Sequence, residues 1–241
     1  MQRRNGEHWA GLLYMRWISL RVTRLLISSP ISANGYTYLM TVAGLASGPA
    51  LLIPGVTGAI LGALLIQVYL LLDCVDGELA RWRKQTSITG VYLDRIGAYL
   101  SEAAFLVGLG FRSAGHLHAD SWTVLGLTAA LCVILVKSET DLVDVARARS
   151  GLSAVAESAA VPRSAGAAKA RTLASALKVH RLIVVIESSL LVLAAGIADA
   201  VAGGPSGLFF TRLSVAILAA IALAMVVLHF ASVIMSNRLK G

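Results

Sequence analysis

The sequence predicts an all-α integral membrane protein, with six transmembrane helices preceded by an amphipathic helix that lies in the membrane interface. Composition indicates this class, because 57% of the 241 residues are hydrophobic and only 14% are charged. Soluble domains of this size carry about 25% charged residues. Apolar runs long enough to cross a hydrocarbon core of about 30 Å recur along the chain. We therefore expect one membrane domain over residues 1–241.

The predicted interfacial helix covers residues 8–28, where aromatic side chains are mixed with arginines. Trp17 suits the depth of the lipid headgroups, and Arg21 and Arg24 can face lipid phosphates. Pro30 then interrupts the helical pattern. A poorly ordered basic leader is the alternative interpretation of the same residues.

Six apolar segments follow, and helix-breaking residues separate them. Pro54-Gly55 divides the first two segments, and Gly203-Gly204-Pro205 divides the last two. The long connection over residues 147–178 is rich in Ala, Ser, Arg and Lys and is expected to be a cytoplasmic loop. The predicted spans are residues 33–53, 56–80, 89–112, 121–146, 179–202 and 208–235.

The basic residues predict the orientation of the chain. The net charge is +8, and the lysines and arginines gather at the span ends that share one side of the membrane. Positive loops stay in the cytoplasm, so we expect a multi-pass protein of the cell membrane with both termini and residues 73–94 cytoplasmic. Nucleic-acid binding is disfavoured, because no soluble basic domain is present to perform it.

The most informative segment reads DCVDGELAR over residues 73–81 and, after eight residues, GVYLDRIGA over residues 90–98. Asp73 and Asp76 share one helix face, and Asp94 begins the next span, so the three carboxylates can converge. Carboxylates beside lipid are unfavourable and mark functional sites by default. The alternative is that they only cap two span ends in water.

These residue types favour phosphoryl chemistry at a metal. Clustered carboxylates repel one another unless a cation neutralises them, and oxygen ligands suit Mg²⁺, Mn²⁺ or Ca²⁺ rather than zinc. Gly77 permits close approach to the helix backbone, and Arg81, one turn further on, can hold a phosphate. A metal beside an arginine can stabilise the charge of a reacting phosphoryl group.

The segment resembles the signature of the CDP-alcohol phosphotransferase family, which is D-x-x-D-G-x-x-A-R, eight residues, then G-x-x-x-D-x-x-x-D. The number of spans and the amphipathic N-terminal helix match the family too, whereas residues after about 147 match only in hydropathy. Seven of the eight fixed positions agree, namely Asp73, Asp76, Gly77, Ala80, Arg81, Gly90 and Asp94.

The resemblance implies an enzyme of phospholipid synthesis that transfers a phosphoalcohol group, often phosphatidyl, from a CDP-alcohol such as CDP-diacylglycerol to an acceptor hydroxyl, releasing CMP. It implies two Mg²⁺ or Mn²⁺ ions between carboxylates of the second and third spans, and a homodimer. By motif position, the metal ligands would be Asp73, Asp76 and Asp94. The pocket for the CDP group would contain Asp73, Gly77, Ala80, Arg81 and Gly90.

The eighth fixed position is an acid in the family and is Ala98 here. In the family that acid helps to hold the second metal and is the proposed base for the acceptor hydroxyl, and alanine can do neither. The sequence is then a natural variant with another base, for which Glu102 and Asp94 are candidates, or a pseudoenzyme that binds CDP-alcohol without turnover. The third interpretation, favoured by the intact surroundings, is an enzyme inactivated by replacement of Asp or His with alanine.

Charged residues inside the later spans are candidates for the acceptor pocket. Lys137 lies about ten residues, or ~15 Å, from the inner end of the fourth span, so its ammonium must face a polar cavity or form an ion pair. Ion pairing between spans and acceptor binding remain equally open, and a small membrane transporter is the disfavoured alternative function. The candidate acceptor residues are Lys137, Glu139, Asp141, His180 and Arg181.

Overall fold

A computed structural model shows an all-helical chain and describes residues 14–153, 185–203, 207–236 and 238–239. One helix coincides with each predicted element, although residues 8–13 and 179–184 of those elements lie outside the described residues. Over the described ranges the helices are α1 (Arg16–Leu26), α2 (Ala33–Leu51), α3 (Gly55–Trp82), α4 (Ile88–Ala114), α5 (Ser121–Arg149), α6 (Val185–Ala202) and α7 (Phe209–Ile234).

Three helices, α3, α5 and α7, are long and apolar enough to cross a membrane, counting only the residues that the structure describes. The predicted all-helical membrane class is confirmed. The helices α2, α4 and α6 contain 19, 27 and 18 residues, so they too have the length of a span. Six spans and an interfacial α1 therefore stay predictions.

Short polar side chains begin several helices at the predicted breaks. The hydroxyl oxygens of Ser32 and Ser87 accept hydrogen bonds from the backbone amides of Gly35 and Gly90, at 3.1 and 3.0 Å. These bonds satisfy backbone donors that a first helical turn leaves without partners. The loop predicted over residues 147–178 starts three residues too early, because residues 147–149 continue α5, and its residues 154–178 lie outside the described residues. Arginines stabilise the negative end of a helix dipole, so the helix extends through them.

Small residues let α2 and α4 pack with their backbones nearly in contact. A Cβ atom built on Gly108 of α4 would lie 2.4 Å from the carbonyl oxygen of Gly48 in α2. A Cβ atom on Gly44 would lie 2.0 Å from the Ser101 hydroxyl oxygen. This close crossing fixes the depth of α4, and therefore of its functional residues, against α2.

Polar contacts hold α1 against the inner end of α3. The carboxylate of Glu78 accepts hydrogen bonds from Ser19 at 3.0 Å and from Thr23 at 2.6 Å. The opposite side of α1 exposes Trp17 and Leu25, at 65% and 81% of their surface. Arg21 and Arg24 are exposed as well, and such a mixture of apolar and basic side chains is typical of a helix at a membrane surface.

Candidate active site

The turn between α3 and α4 brings the motif carboxylates of the two helices side by side. The carboxyl groups of Asp73 and Asp94 lie within hydrogen-bonding reach of each other, and Asp76 is close enough to act electrostatically on Asp73. Asp76 is only 7% exposed and accepts a 2.5 Å hydrogen bond from the hydroxyl group of Thr37. The end of α3, the start of α4 and the start of α2 therefore form one acidic site.

A fourth carboxylate lies near the same site. The phenol of Tyr69, 4% exposed, lies near enough to Asp73, Asp76, Asp94 and Glu102 to experience the charge of each. Glu102 follows Asp94 by two helical turns on α4, and Ala98 stands between them on the same face. The acidic site thus continues into the bundle beyond the position where the motif loses its last acid.

The glycine, alanine and arginine positions of the motif line the inner end of α3 and the start of α4. A Cβ atom on Gly77 would lie 3.2 Å from Nη1 of Arg81, so the guanidinium group lies over the bare backbone of Gly77. A Cβ atom on Gly90 would lie 3.0 Å from the side-chain oxygen of Asn34. Ala80 precedes Arg81 and is partly exposed, whereas the Arg81 side chain is exposed and available to a phosphate.

The chemistry of these donors suits a hard divalent cation. Asp73, Asp76 and Asp94 offer carboxylate oxygens alone, which are the ligands that Mg²⁺ and Mn²⁺ prefer. Among the described residues, however, no three His, Cys, Asp or Glu side chains are gathered as a ready metal cluster. Asp73 and Asp94 form a close pair, while Asp76 is bound to Thr37. The assignment of these three residues to a metal stays a prediction.

Ala98 has no side-chain donor or acceptor, and its two candidate substitutes have different surroundings. Glu102 is 4% exposed, and its Oε1 lies 2.9 Å from Nζ of Lys137 on α5. The same ammonium group acts electrostatically on Asp73. Glu102 is therefore a paired carboxylate next to the acidic site, whereas Asp94 belongs to the site itself.

The described acceptor candidates all form ion pairs between helices. Lys137 pairs with Glu102, as described above, and Asp141 pairs with Arg95 at 2.5 Å and accepts a hydrogen bond from Tyr99. The carboxylate of Glu139 faces α7 instead and lies 2.7 Å from Nδ1 of His229. Because each of these charged groups has a side-chain partner on a neighbouring helix, its position is explained without a ligand. The other two candidates, His180 and Arg181, lie outside the described residues.

Four contributors to this region were missed at the level of sequence. Thr37 gives no local signal, because a threonine in an apolar helix is common and its partner is 39 residues away. His229 did have a signal, since an ionisable residue within an apolar span is a candidate for function or pairing. Arg95 and Tyr99 lie one turn apart on α4, where both face Asp141.

Two open cavities flank the acidic site. One, of about 360 Å³, lies between α1 and α3 and is lined by Leu20, Thr23, Ile27, Glu78, Arg81 and Trp82. The other, of about 440 Å³, lies beside α4 and includes Arg95, Tyr99 and Asp141 within a largely apolar wall. Their mixture of apolar and charged lining is compatible with an amphipathic ligand.

Comparisons with known proteins agree with the motif. The family model described as CDP-alcohol phosphatidyltransferase matches residues 30–236. Over 136 residues, or 56% of this chain, the sequence is 29% identical to the bifunctional IPC transferase and DIPP synthase of Thermococcus kodakarensis. The matched part spans 30% of that longer protein.

The fold also has a solved counterpart. The crystal structure of the apo phosphatidylinositol phosphate synthase of Mycobacterium tuberculosis aligns with a TM-score of 0.61. The alignment covers 92% of this chain and 99% of that one, at 19% sequence identity. At this identity the likeness establishes the shared arrangement of helices and leaves substrates open.

Proposed function

We propose a function for this chain from the fact that it belongs to the CDP-alcohol phosphatidyltransferase family. We infer that it transfers a phosphoalcohol group from a CDP-alcohol, such as CDP-diacylglycerol, to an acceptor hydroxyl at a membrane, in phospholipid synthesis. The observation that carries the proposal is the pairing of Asp73 on α3 with Asp94 on α4, beside the exposed guanidinium group of Arg81.

In this proposal the motif residues bind and orient the donor. Asp73, Asp76 and Asp94 would hold Mg²⁺ or Mn²⁺, which when bound neutralises the charge of the donor pyrophosphate. Arg81 binds a phosphate oxygen, while Gly77 and Gly90 leave room for the CDP group beside Ala80. Thr37 orients the carboxylate of Asp76 through its hydrogen bond.

The transfer itself joins the acceptor oxygen to the β-phosphorus and breaks the bond to the bridging oxygen, which leaves with CMP. The acceptor hydroxyl loses its proton to a carboxylate, and the candidates are Asp94 and Glu102. We propose that the acceptor approaches from the side of Lys137, whose side chain remains 29% exposed, with Glu139 and Asp141 further along α5. The ammonium group of Lys137 and the nearby guanidinium group of Arg95 favour a phosphorylated or anionic acceptor.

A second candidate function follows from Ala98. A chain that binds CDP-alcohol but lacks the last motif acid would be a pseudoenzyme, or an enzyme whose acid has been replaced. The three interpretations of Ala98 make different predictions for the same reaction, so one experiment separates them.

The deciding measurement is release of CMP from CDP-diacylglycerol by the purified chain in lipid nanodiscs, with Mn²⁺ or Mg²⁺ and a panel of acceptor alcohols. Metal-dependent release by the unaltered chain indicates a natural variant that uses another base. Release only after Ala98→Asp or Ala98→His indicates a replaced acid. Donor binding without release in every form indicates a pseudoenzyme.

The matched control is Asp73→Asn, which keeps the size of the side chain and removes its charge. It should abolish donor binding that depends on the metal. If CDP-diacylglycerol binds neither the unaltered chain nor Ala98→Asp, the proposed function fails and transport becomes the leading alternative. We further propose that the chain is a multi-pass protein of the cell membrane with a cytoplasmic site, and a homodimer, which crosslinking in membranes would test.

A further inference from the structure

The acidic site of this chain carries a fixed positive charge of its own. Nζ of Lys137 lies 2.9 Å from Oε1 of Glu102, one helical turn beyond Ala98 on α4. The ammonium group also lies near enough to Asp73 to act on its charge. Lys137 on α5 therefore lies near the acidic site on the side of Asp73 and Glu102, where the signature would have its fourth acid.

The number of ligands sets how many divalent ions such a site can hold. Two adjacent cations need enough carboxylates to ligate each of them. The family signature supplies four, whereas this chain supplies only three, namely Asp73, Asp76 and Asp94. Glu102 cannot simply replace the missing acid, because it is 4% exposed and already paired with Lys137. Freeing Glu102 would break a charge pair whose acidic member is buried, which is unfavourable.

We propose that this site binds one divalent cation rather than two. In place of the second cation, the ammonium group of Lys137, held by Glu102, supplies positive charge to the site. This proposal rests on the proposed function, because it assumes a metal at Asp73, Asp76 and Asp94. An ammonium group is a compact charge with three N–H donors, of which Glu102 accepts one. It can therefore hold a phosphate oxygen of the donor without carboxylate ligands.

The metal count tests the proposal directly. Mn²⁺ is titrated into the purified chain in nanodiscs with CDP-diacylglycerol present, and bound ions are counted by electron paramagnetic resonance. We expect one ion per chain, and two in the Ala98→Asp variant, which restores the fourth carboxylate. Two ions in the unaltered chain with donor bound would overturn this proposal alone. No Mn²⁺ in either form would overturn both this proposal and the proposed function.

The role of Lys137 has a separate test. The double variant Lys137→Met with Glu102→Gln removes both charges, so that no buried charge is left without a partner. Because the ammonium group holds a phosphate oxygen of the donor in this proposal, its loss should weaken binding of CDP-diacylglycerol about tenfold. An unchanged donor affinity would show that the pair only joins α4 to α5, and would overturn the assignment.

The matched control uses another charged pair on the same helix. Oδ1 of Asp144 on α5 lies 3.8 Å from Nη2 of Arg238, which follows α7. The variant Asp144→Asn with Arg238→Gln removes this pair, and affinity for CDP-diacylglycerol should stay within twofold of the unaltered chain. A tenfold change in the control would attribute the effect to loosening of α5, and would count against a specific role for Lys137.

Discussion

The hydroxyl group of Thr37 donates a hydrogen bond of 2.5 Å to the carboxylate of Asp76. This contact joins the start of α2 to the inner end of α3, and both partners are buried. The bond helps to determine which way the buried carboxylate of Asp76 points. A residue outside the motif thus contributes to the geometry of the acidic site.

Replacement of Thr37 by valine should weaken metal binding with little change in fold. Valine keeps the shape of threonine but donates no hydrogen bond, so Asp76 loses its orientation. Loss of such an outer contact lowers metal affinity about 10- to 100-fold. Titration of Mn²⁺ measures the change. Thr41→Val is the matched control, since the Thr41 hydroxyl donates to the backbone carbonyl of Thr37 in its own helix, at 2.9 Å. Equal affinities in the two variants would contradict the prediction.

Replacement of Glu78 by alanine should release α1 from α3. The hydroxyl groups of Ser19 and Thr23 would lose the acceptor that both now share. The Ser19 hydroxyl keeps the Arg16 carbonyl as an acceptor, but a buried donor that loses its acceptor, as at Thr23, destabilises by about 1–3 kcal/mol. Amide hydrogen exchange over residues 16–26 should therefore become faster. Arg21→Ala is the control, because Arg21 bonds to the backbone of Trp17 within α1. Unchanged exchange in Glu78→Ala would mean that apolar contacts alone hold the helix.

Replacement of Asp199 by alanine should destabilise the junction between α6 and α7. The carboxylate of Asp199 accepts hydrogen bonds from the backbone amides of Phe210 and Thr211, at 2.7 and 2.9 Å, and from the Thr211 hydroxyl at 2.6 Å. We expect the free energy of unfolding to fall by about 2–4 kcal/mol, since charged hydrogen bonds contribute most. Thermal melting in detergent measures it. Asp199→Asn retains an acceptor and should lose less; an equal or larger loss would argue against the capping role.

Replacement of Gly108 by alanine should force α2 and α4 apart. The new methyl group would meet the backbone of Gly48 at 2.4 Å, and backbone cannot move aside as a flexible side chain can. Overpacking of this kind destabilises by about 1–3 kcal/mol. A lower melting temperature in detergent is the expected result. A melting temperature equal to that of the unaltered chain would show that the crossing tolerates a wider separation.

Replacement of Gly77 by alanine should instead weaken donor binding and leave the stability of the fold nearly unchanged. Its nearest obstacle is the guanidinium group of Arg81 at 3.2 Å, which is exposed and can move. Melting should therefore stay close to that of the unaltered chain, while affinity for CDP-diacylglycerol falls because Arg81 is displaced from the backbone. Binding of the donor in nanodiscs measures this. Loss of stability without loss of donor affinity would contradict it.

Local patterns were enough to predict the helices and the motif. Apolar runs between Pro and Gly breaks located helices α2 to α7 near the bounds that the structure describes, because helix formation and its ends depend on neighbouring residues. The same patterns failed at the end of α5, where arginines read as loop residues continue the helix to Arg149. The spacing of Asp73, Asp76 and Asp94 indicated the acidic site, since residues three apart share a helix face.

The sequence alone determined the membrane class, the order of helices and the identity of the acidic motif, because hydropathy and helical period are properties of consecutive residues. Only the tertiary structure decided which charges meet. Lys137 could have faced a cavity or a partner, and the packing of α5 on α4 pairs it with Glu102. Likewise Glu139 meets His229 from 90 residues away. Such partners depend on the rotation and depth at which helices cross, and those are set by packing across the whole bundle.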